Sequence, residues 1–513
     1  MALWRSTVIV SAMTMLSRVL GLVRDIVLLN VFGAGKDFDT FVVAFRIPNF
    51  FRRLFAEGAF SQAFIPVLTE YKTGRTHAEV QILISRVFGC LMTVMTALTF
   101  IAMVAAPAVL YIYAPGFHAD PEKFDLAVSM FRLTIPYLLF MSLTAFASSI
   151  LNSYGSFASP AFSPVLLNVA MIAGAWWLTP YMAEPIMALG WAVIAAGVLQ
   201  LAIQIPELWH KKLLIPPKVD FKHEGVDRIM KLMLPALFGV SVTQINLLLN
   251  TIWASFMQDG SVSWLYSAER MTELPLGLIG VAIGTVILPA LSTRHAEQDM
   301  SKFRGMMDWA AKVIVLVGVP ASIALFMLST PIIQALFQRG QFTIEDTQMT
   351  ALALQCMSAG VISFMLIKVF APGFYAQQDT KTPVRVGLMA VAANAILNVV
   401  FIGFFKLIDW HAEHMALALA SSGSALVNAG MLYFYLHKRN IYRFGAHWKK
   451  LSFQFLVANI TMIAALAYAL TWYQGDIAQW LRIAEVVGLC ALGVAAYVIG
   501  LLITGFRPRH LKH

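Results

Sequence analysis

VVGLCALGVAAYVIGLLI, residues 486–503, is eighteen consecutive residues without a charged side chain. A helix rises 1.5 Å per residue, so a run of about 20 apolar residues matches a hydrocarbon core roughly 30 Å thick. Runs of this kind recur along the whole chain. Of its 513 residues, 59% are hydrophobic and 12% charged, with a mean hydropathy of +0.73. Soluble domains are roughly half apolar and a quarter charged, so this chain would precipitate in water. Lipid removes the difficulty, provided each run satisfies its own backbone as a helix. The expected fold is therefore an all-α, polytopic membrane protein with about fourteen transmembrane helices. They fall near 6–32, 39–66, 82–108, 126–152, 160–180, 185–207 and 228–256, then near 262–292, 309–330, 347–375, 383–406, 412–437, 451–473 and 480–506.

The formal net charge of +10 would suit a nucleic-acid partner only on a folded soluble domain with a basic face, and no such domain is available. The basic residues sit in short loops between apolar runs. One set of alternate loops holds Lys72 and Arg75, Lys211, Lys212, Lys218 and Lys222, Lys302 and Arg304, Lys381, the group from Lys438 to Lys450, and Arg507 to Lys512. The opposite set offers Lys36, Lys123, Arg339 and Lys406. By the positive-inside rule both termini are expected in the cytoplasm of a bacterial inner membrane. The apolar stretch from Met1 to Leu16 continues to Phe32 without a small-residue cleavage site, so it is expected to stay as the first helix. Cys90, Cys356 and Cys490 lie in apolar segments without metal or disulfide spacing and are expected to be core packing.

Internal repetition is visible at two places. AFIPVLTEY (63–71) answers VILPALSTR (286–294), and YGSFASP ending at Pro160 answers QQDTKTP ending at Pro383. In both pairs the prolines are 223 residues apart. Two related six-helix lobes are therefore expected, 1–207 and 228–437, joined by a cytoplasmic linker over 208–227. Residues 438–513 add a C-terminal helix pair and tail outside the repeat.

An ionised side chain inside a membrane helix costs about 2.5–3.5 kcal/mol on insertion scales. Three helices carry several. The first has Ser17, Arg18, Arg24 and Asp25; the second has Asp39, Arg46, Asn49, Arg52, Arg53 and Glu57; the eighth has Ser263, Glu269, Arg270 and Glu273. Residues three, four and seven apart share a helix face. Ser17, Gly21 and Arg24 align, as do Arg46, Asn49, Arg53 and Glu57, and Ser263, Ser267 and Arg270. Each stripe must face protein or water. A planar guanidinium fork binds phosphate bidentately and stays charged, so an arginine-rich cavity suits a phosphate-bearing guest. Ion pairing is the plainer alternative: Arg53 with Glu57, and Arg18 or Arg24 with Asp25. Lys368 stands alone and can snorkel. Asp37-Phe-Asp39 resembles an acidic metal motif of some glycosyltransferases, but helix starts favour Asp in any case. No metal site, P-loop or zinc-protease pattern occurs.

SRVLGLVRD (17–25), FGAG (32–35), FRRLFAEGAFSQAFIPVLTEY (51–71), SVSWLYSAERM (261–271), LFQRGQFT (336–343) and APGFY with DTKTP (371–383) together resemble the MurJ (MviN) lipid II flippases. These belong to the multidrug/oligosaccharidyl-lipid/polysaccharide (MOP) exporter superfamily. The resemblance implies a fourteen-helix fold with a cationic cavity and a hydrophobic groove made by the last two helices. It implies a transporter and not an enzyme, carrying the undecaprenyl-diphosphate-linked peptidoglycan precursor across the bilayer by alternating access. Arg18, Arg24, Arg52 and Arg270 would bind the diphosphate. Ser17, Asp25, Asp39, Asn49, Arg53, Glu57, Ser263 and Glu273 would line the cavity or its gate. No cofactor is expected; the membrane potential is the expected driving force, and no coupling-ion site is legible. Partners implied are lipid II, the bilayer and the cell-wall synthesis machinery. A drug or cation antiporter of the same superfamily, or an exporter of another lipid-linked oligosaccharide, is the alternative; an antiporter would favour an apolar, acid-containing cavity. A membrane glycosyltransferase would need larger outer loops.

Overall fold

The computed structural model describes residues 2–56, 59–475 and 477–507, with the side chains of 2–9, 53–56, 59, 235–244, 278–279, 281–282 and 285 left outside that description. Each expected span falls on helix over its described residues. Among the described residues, ten helices are long and apolar enough to cross a membrane. The spans near 6–32, 39–66 and 262–292 are not among the ten; they are the three that carry the polar stripes. The span near 228–256 contributes the shorter apolar helix Ile245–Ala254.

The chain forms two compact units, Met1–Ser263 and Trp264–His513. The first contains α1 (Ala2–Phe32), α2 (Lys36–Ala56), α3 (Ala59–Gly74), α4 (His77–Val104), α5 (Ala106–Tyr113), α6 (Pro121–Thr134), α7 (Tyr137–Ser153), α8 (Ala158–Ala173), α9 (Met187–Ala202), α10 (Ile205–His210) and α11 (Glu224–Ala254). α12 (Ser261–Pro275) begins in the first unit and runs into the second. There follow α13 (Val281–Ala296), α14 (Met300–Met327), α15 (Ser329–Phe337), α16 (Ile344–Tyr375), α17 (Lys381–Leu407), α18 (His414–Lys438), α19 (His447–Leu470) and α20 (Gln479–Ile503).

The unit boundary falls at 263/264, later than a division at the 208–227 stretch, because α11 packs with the first unit. It lies against α3; Arg228 pairs with Glu70 at 2.8 Å and Arg75 with Glu224 at 2.9 Å. The stretch before α11 is also packed down. Ser85 of α4 donates to Pro216 O at 2.7 Å and accepts through its carbonyl from Lys218 N at 3.1 Å. A Cβ at Gly89 would stand 2.4 Å from the Lys218 carbonyl, so only glycine admits this crossing.

The 223-residue repeat is visible in the helix boundaries. α4 starts at His77 behind a Thr76 cap and ends at Val104; α14 starts at Met300 behind an Asp299 cap and ends at Met327. α6 is capped by Asp120 and α16 by Thr343, again 223 apart. α7 and α16 end in the same turn. Ser156 N donates to Leu151 O and Asp379 N to Phe374 O, with Gly155 and Gln378 at φ +75° and +61°. This is the six-to-one closure of a helix C-terminus through a left-handed residue. One backbone plan therefore serves both units.

In the second unit Phe303, Met307, Ile314, Phe370, Phe374 and Tyr442 build the core. The C-terminal pair has its own cluster of Leu451, Phe455, Met462, Leu466 and Leu501, packed on Leu328. Polar pins join the pair to α14 and α15: Tyr497 Oη donates to Leu316 O at 2.8 Å, and Gln334 Nε2 to Gly475 O at 2.9 Å. A Cβ on Gly500 would come within 2.6 Å of Ala458 Cα, the close approach expected between membrane helices. Cys90 and Cys356 are buried as expected, whereas Cys490 is exposed on α20 and is not core packing.

The DTKTP motif acts as a clasp. Asp379 accepts from Thr382 N at 3.0 Å and Thr382 Oγ1 at 2.6 Å, and Arg439 at the end of α18 donates to it at 2.6 Å. Burial alone would raise the Asp379 carboxyl, but the bonds from Thr382 and Arg439 outweigh it and hold the group at about 2. A depressed carboxylate stabilises above its unfolded value, and that contribution is lost as pH falls through the folded value. Asp379→Asn should therefore cost about 1 kcal/mol near neutral pH. Thermal unfolding in detergent from about pH 6 to about pH 2.5 should show the gap between variant and wild type closing as the acid range is entered.

Candidate functional site

On α1 the expected stripe is built around one buried guanidinium. Arg24 and Asp25 are 7% and 2% exposed. Arg24 Nε and Nη2 donate to Asp25 Oδ1 at 2.9 and 2.5 Å, and Nη1 donates to Asn168 Oδ1 of α8 at 3.0 Å. Asn168 Nδ2 donates in turn to the Ser17 carbonyl at 3.0 Å. The amide is oriented at both ends, its acceptor toward a cation and its donor toward a carbonyl. It therefore spans one full stripe of α1, from Ser17 to Arg24. Arg18, one residue round the helix, is exposed and Ser17 is half-buried.

On α2, Asp39 is 1% exposed. Its Oδ1 accepts from Ser263 N at 2.9 Å and Ser263 Oγ at 2.6 Å; its Oδ2 accepts from Gly260 N at 2.9 Å and Lys123 Nζ at 3.3 Å. Four donors converge on one carboxylate. Two are backbone N–H groups at the start of α12, where a helix leaves its first amides without internal partners. Lys123 also reaches Asp259 Oδ1 at 2.6 Å and stands 4.2 Å from the Phe117 ring centre. Asp37 is exposed, and among the described residues no cluster of metal-ligating side chains occurs. The acidic triplet is thus divided between a solvated helix start and a buried cap.

Further along α2, Arg46 Nη1 donates to Thr251 Oγ1 of α11 at 2.5 Å, and Arg52 Nε to Asn49 Oδ1 at 2.8 Å. All three α2 residues are half-buried. Glu57 and the side chain of Arg53 lie outside the described residues. On α12, in the second unit, Arg270 Nη1 donates to Glu273 Oε2 at 3.0 Å and Nη2 to Tyr266 Oη at 3.1 Å. Its guanidinium also stands 4.9 Å from the Tyr266 ring centre. Below Pro275 the helix passes through a π turn, Leu276–Gly280. Lys368 is exposed.

Several participants escaped the sequence reading, Thr251, Asp259 and Gly260 among them. Lys123 was expected only as a loop charge, Asn168 is a single amide in an apolar run, and Tyr266 precedes Arg270 by four residues. Only the last two carried a signal, an intramembrane polar group and an i,i+4 spacing. Asn168→Ala should leave a guanidinium nitrogen and the Ser17 carbonyl without this partner and lower stability by about 1–3 kcal/mol. Asn168→Asp keeps the acceptor facing Arg24 and should lose less, by thermal unfolding of purified protein.

Comparisons with known proteins carry these features into a family. A "Probable lipid II flippase MurJ" of Vibrio cholerae serotype O1 is 44% identical to this chain, covering 99% of it and 98% of the relative. A solved structure described as "Lipid II flippase MurJ, inward closed conformation" superposes with a TM-score of 0.80 at 26% identity, covering 97% of this chain and 98% of the other. A multidrug resistance MATE family transporter of the MOP superfamily, in an inward-facing conformation, shares the fold with a TM-score of 0.65 at 13% identity over 84% of this chain and 97% of its own. The sequence profile described as "Lipid II flippase MurJ" matches residues 28–489, and on that match this multi-pass membrane protein belongs to the lipid II flippase MurJ family.

Proposed function

We propose that the chain moves lipid II, the undecaprenyl-diphosphate-linked peptidoglycan precursor, from the cytoplasmic to the periplasmic leaflet of a bacterial inner membrane. It is a transporter and not an enzyme, since no covalent bond changes. The observation that carries the reading is the excess of arginine along α1, α2 and α12 in a chain of this family. Arg5, Arg18, Arg24, Arg46, Arg52, Arg53 and Arg270 share these helices with Asp25, Asp37, Asp39, Glu269 and Glu273, and Asp39 is answered by Lys123, not by arginine. Guanidinium forks suit a diphosphate. A drug or cation antiporter would favour the reverse balance.

In this reading Arg18, Arg24, Arg52 and Arg270 hold the diphosphate while the polyprenyl tail stays in lipid. Arg24 reaches the phosphate by exchanging Asp25 for it. Asp39 with Gly260 and Ser263 closes the outer end, and Ser17, Asn49 and Glu273 line the path. Both termini face the cytoplasm, and the inside-negative membrane potential drives the anionic headgroup outward, at roughly 2.3 kcal/mol per charge per 100 mV. Flipped precursor then reaches the cell-wall synthesis machinery outside.

The test is periplasmic exposure of lipid II in cells depleted of their own flippase. The wild-type chain should restore exposure. Arg18→Ala, Arg24→Ala, Arg52→Ala and Arg270→Ala at matched abundance should each lower it by about ten- to a hundredfold, the loss of one charge-assisted phosphate contact. Precursor left trapped by the wild type would remove the assignment.

A further inference from the structure

Lys123 sits where a lysine is expensive. Its side chain is 5% exposed at the start of α6, and it lies between two carboxylates, Asp39 Oδ2 at 3.3 Å and Asp259 Oδ1 at 2.6 Å, over the Phe117 ring. The α2 and α6 starts are already tied without it: Lys36 pairs with Asp120 at 2.9 Å and with Glu122 at 2.6 Å. Helix packing at this corner does not require a second cation.

The repeat sharpens the point. The residue 223 positions after Lys123 is Asp346, in the first turn of α16. There the corresponding tie is neutral on one side: Trp264 Nε1 of α12 donates to Asp346 Oδ1 at 2.9 Å. The backbone plan thus holds two helix starts together by an indole and a carboxylate in one unit. The first unit replaces this with a buried lysine shared by two acids.

The two acids differ in their surroundings. Asp39 is 1% exposed and bound by three further donors, while Asp259 is 56% exposed. An ion pair with one end in water is the weaker and the more easily exchanged, whereas a buried carboxylate stripped of its cation is strongly disfavoured. The two Lys123 contacts therefore break in a defined order.

We propose that Lys123 is the positioning residue of the Asp39 latch. It holds the Asp39 carboxylate against Gly260 and Ser263, and its pair with Asp259 is the contact that yields when the 259–263 segment leaves. This rests on the reading that the Asp39 contact closes one end of a transport path. Lys123 stays with Asp39 through the opening, so the acid is never left uncompensated.

The test uses purified full-length protein in detergent with a reporter cysteine, Ser261→Cys, in a Cys490→Ala background. Ser261 is fully buried beside the latch, and the native thiols Cys90 and Cys356 are buried. Labelling of the reporter by a soluble maleimide should be roughly tenfold faster or more in Lys123→Met, since a buried ion-pair partner is lost. It should also be faster in Asp259→Asn, whose half-exposed site puts the fold at little risk, and should return toward wild type in Lys123→Arg. Wild-type labelling rates in both Lys123→Met and Asp259→Asn would overturn the proposal, as would an Arg variant that labels as fast as the Met variant. Should the wild type fail to expose lipid II in cells while the labelling pattern holds, the latch stands and the transport reading alone falls.

Discussion

Carrying a charged side chain into a helix of membrane length costs about 2.5–3.5 kcal/mol, and the polar helices of this chain are organised around meeting that cost. The carboxylates are met first. Asp25 takes two bonds from Arg24, and Asp39 takes four, from two backbone amides, a hydroxyl and a lysine. Because Lys123 and the α12 amides satisfy Asp39, no arginine of α2 is spent on it. The two acids are thus held in different ways, Asp25 by an arginine and Asp39 by a lysine with the amides of α12.

The same economy explains why neutral side chains recur beside the cations. Asn168 presents oxygen to Arg24, Asn49 to Arg52, Thr251 to Arg46 and Tyr266 to Arg270. A neutral acceptor orients a guanidinium without cancelling its charge, and Arg24 and Arg270 are in addition paired with Asp25 and Glu273. A scaffold repeated with a 223-residue offset then carries different chemistry at matching positions: Lys123 shared by two acids in one unit, Asp346 under an indole in the other.

Much of this was legible before any coordinates. Apolar runs of membrane length placed the helices, because lipid leaves the backbone no partner except itself. Helical spacing placed Arg24, Arg46 and Arg270 on polar stripes, and the proline pairs disclosed the repeat. The partners were not legible, since Arg24 and Asn168 are 144 residues apart and Asp39 and Ser263 are 224 apart. Lys123 misled for a definite reason: it follows an Asp-Pro helix start, the usual composition of a solvated loop, and only tertiary packing buries it. The late unit boundary was hidden likewise, because the packing of α11 on α3 depends on contacts that periodicity does not encode.

In the function proposed above, the cationic helices recognise the diphosphate of the lipid carrier. Its most direct test is competition for lipid II bound to the purified wild-type protein, comparing undecaprenyl diphosphate with undecaprenol. Undecaprenyl diphosphate should displace lipid II and undecaprenol should not. Equal displacement by both would mean that the apolar tail carries recognition, and the arginine account would be wrong.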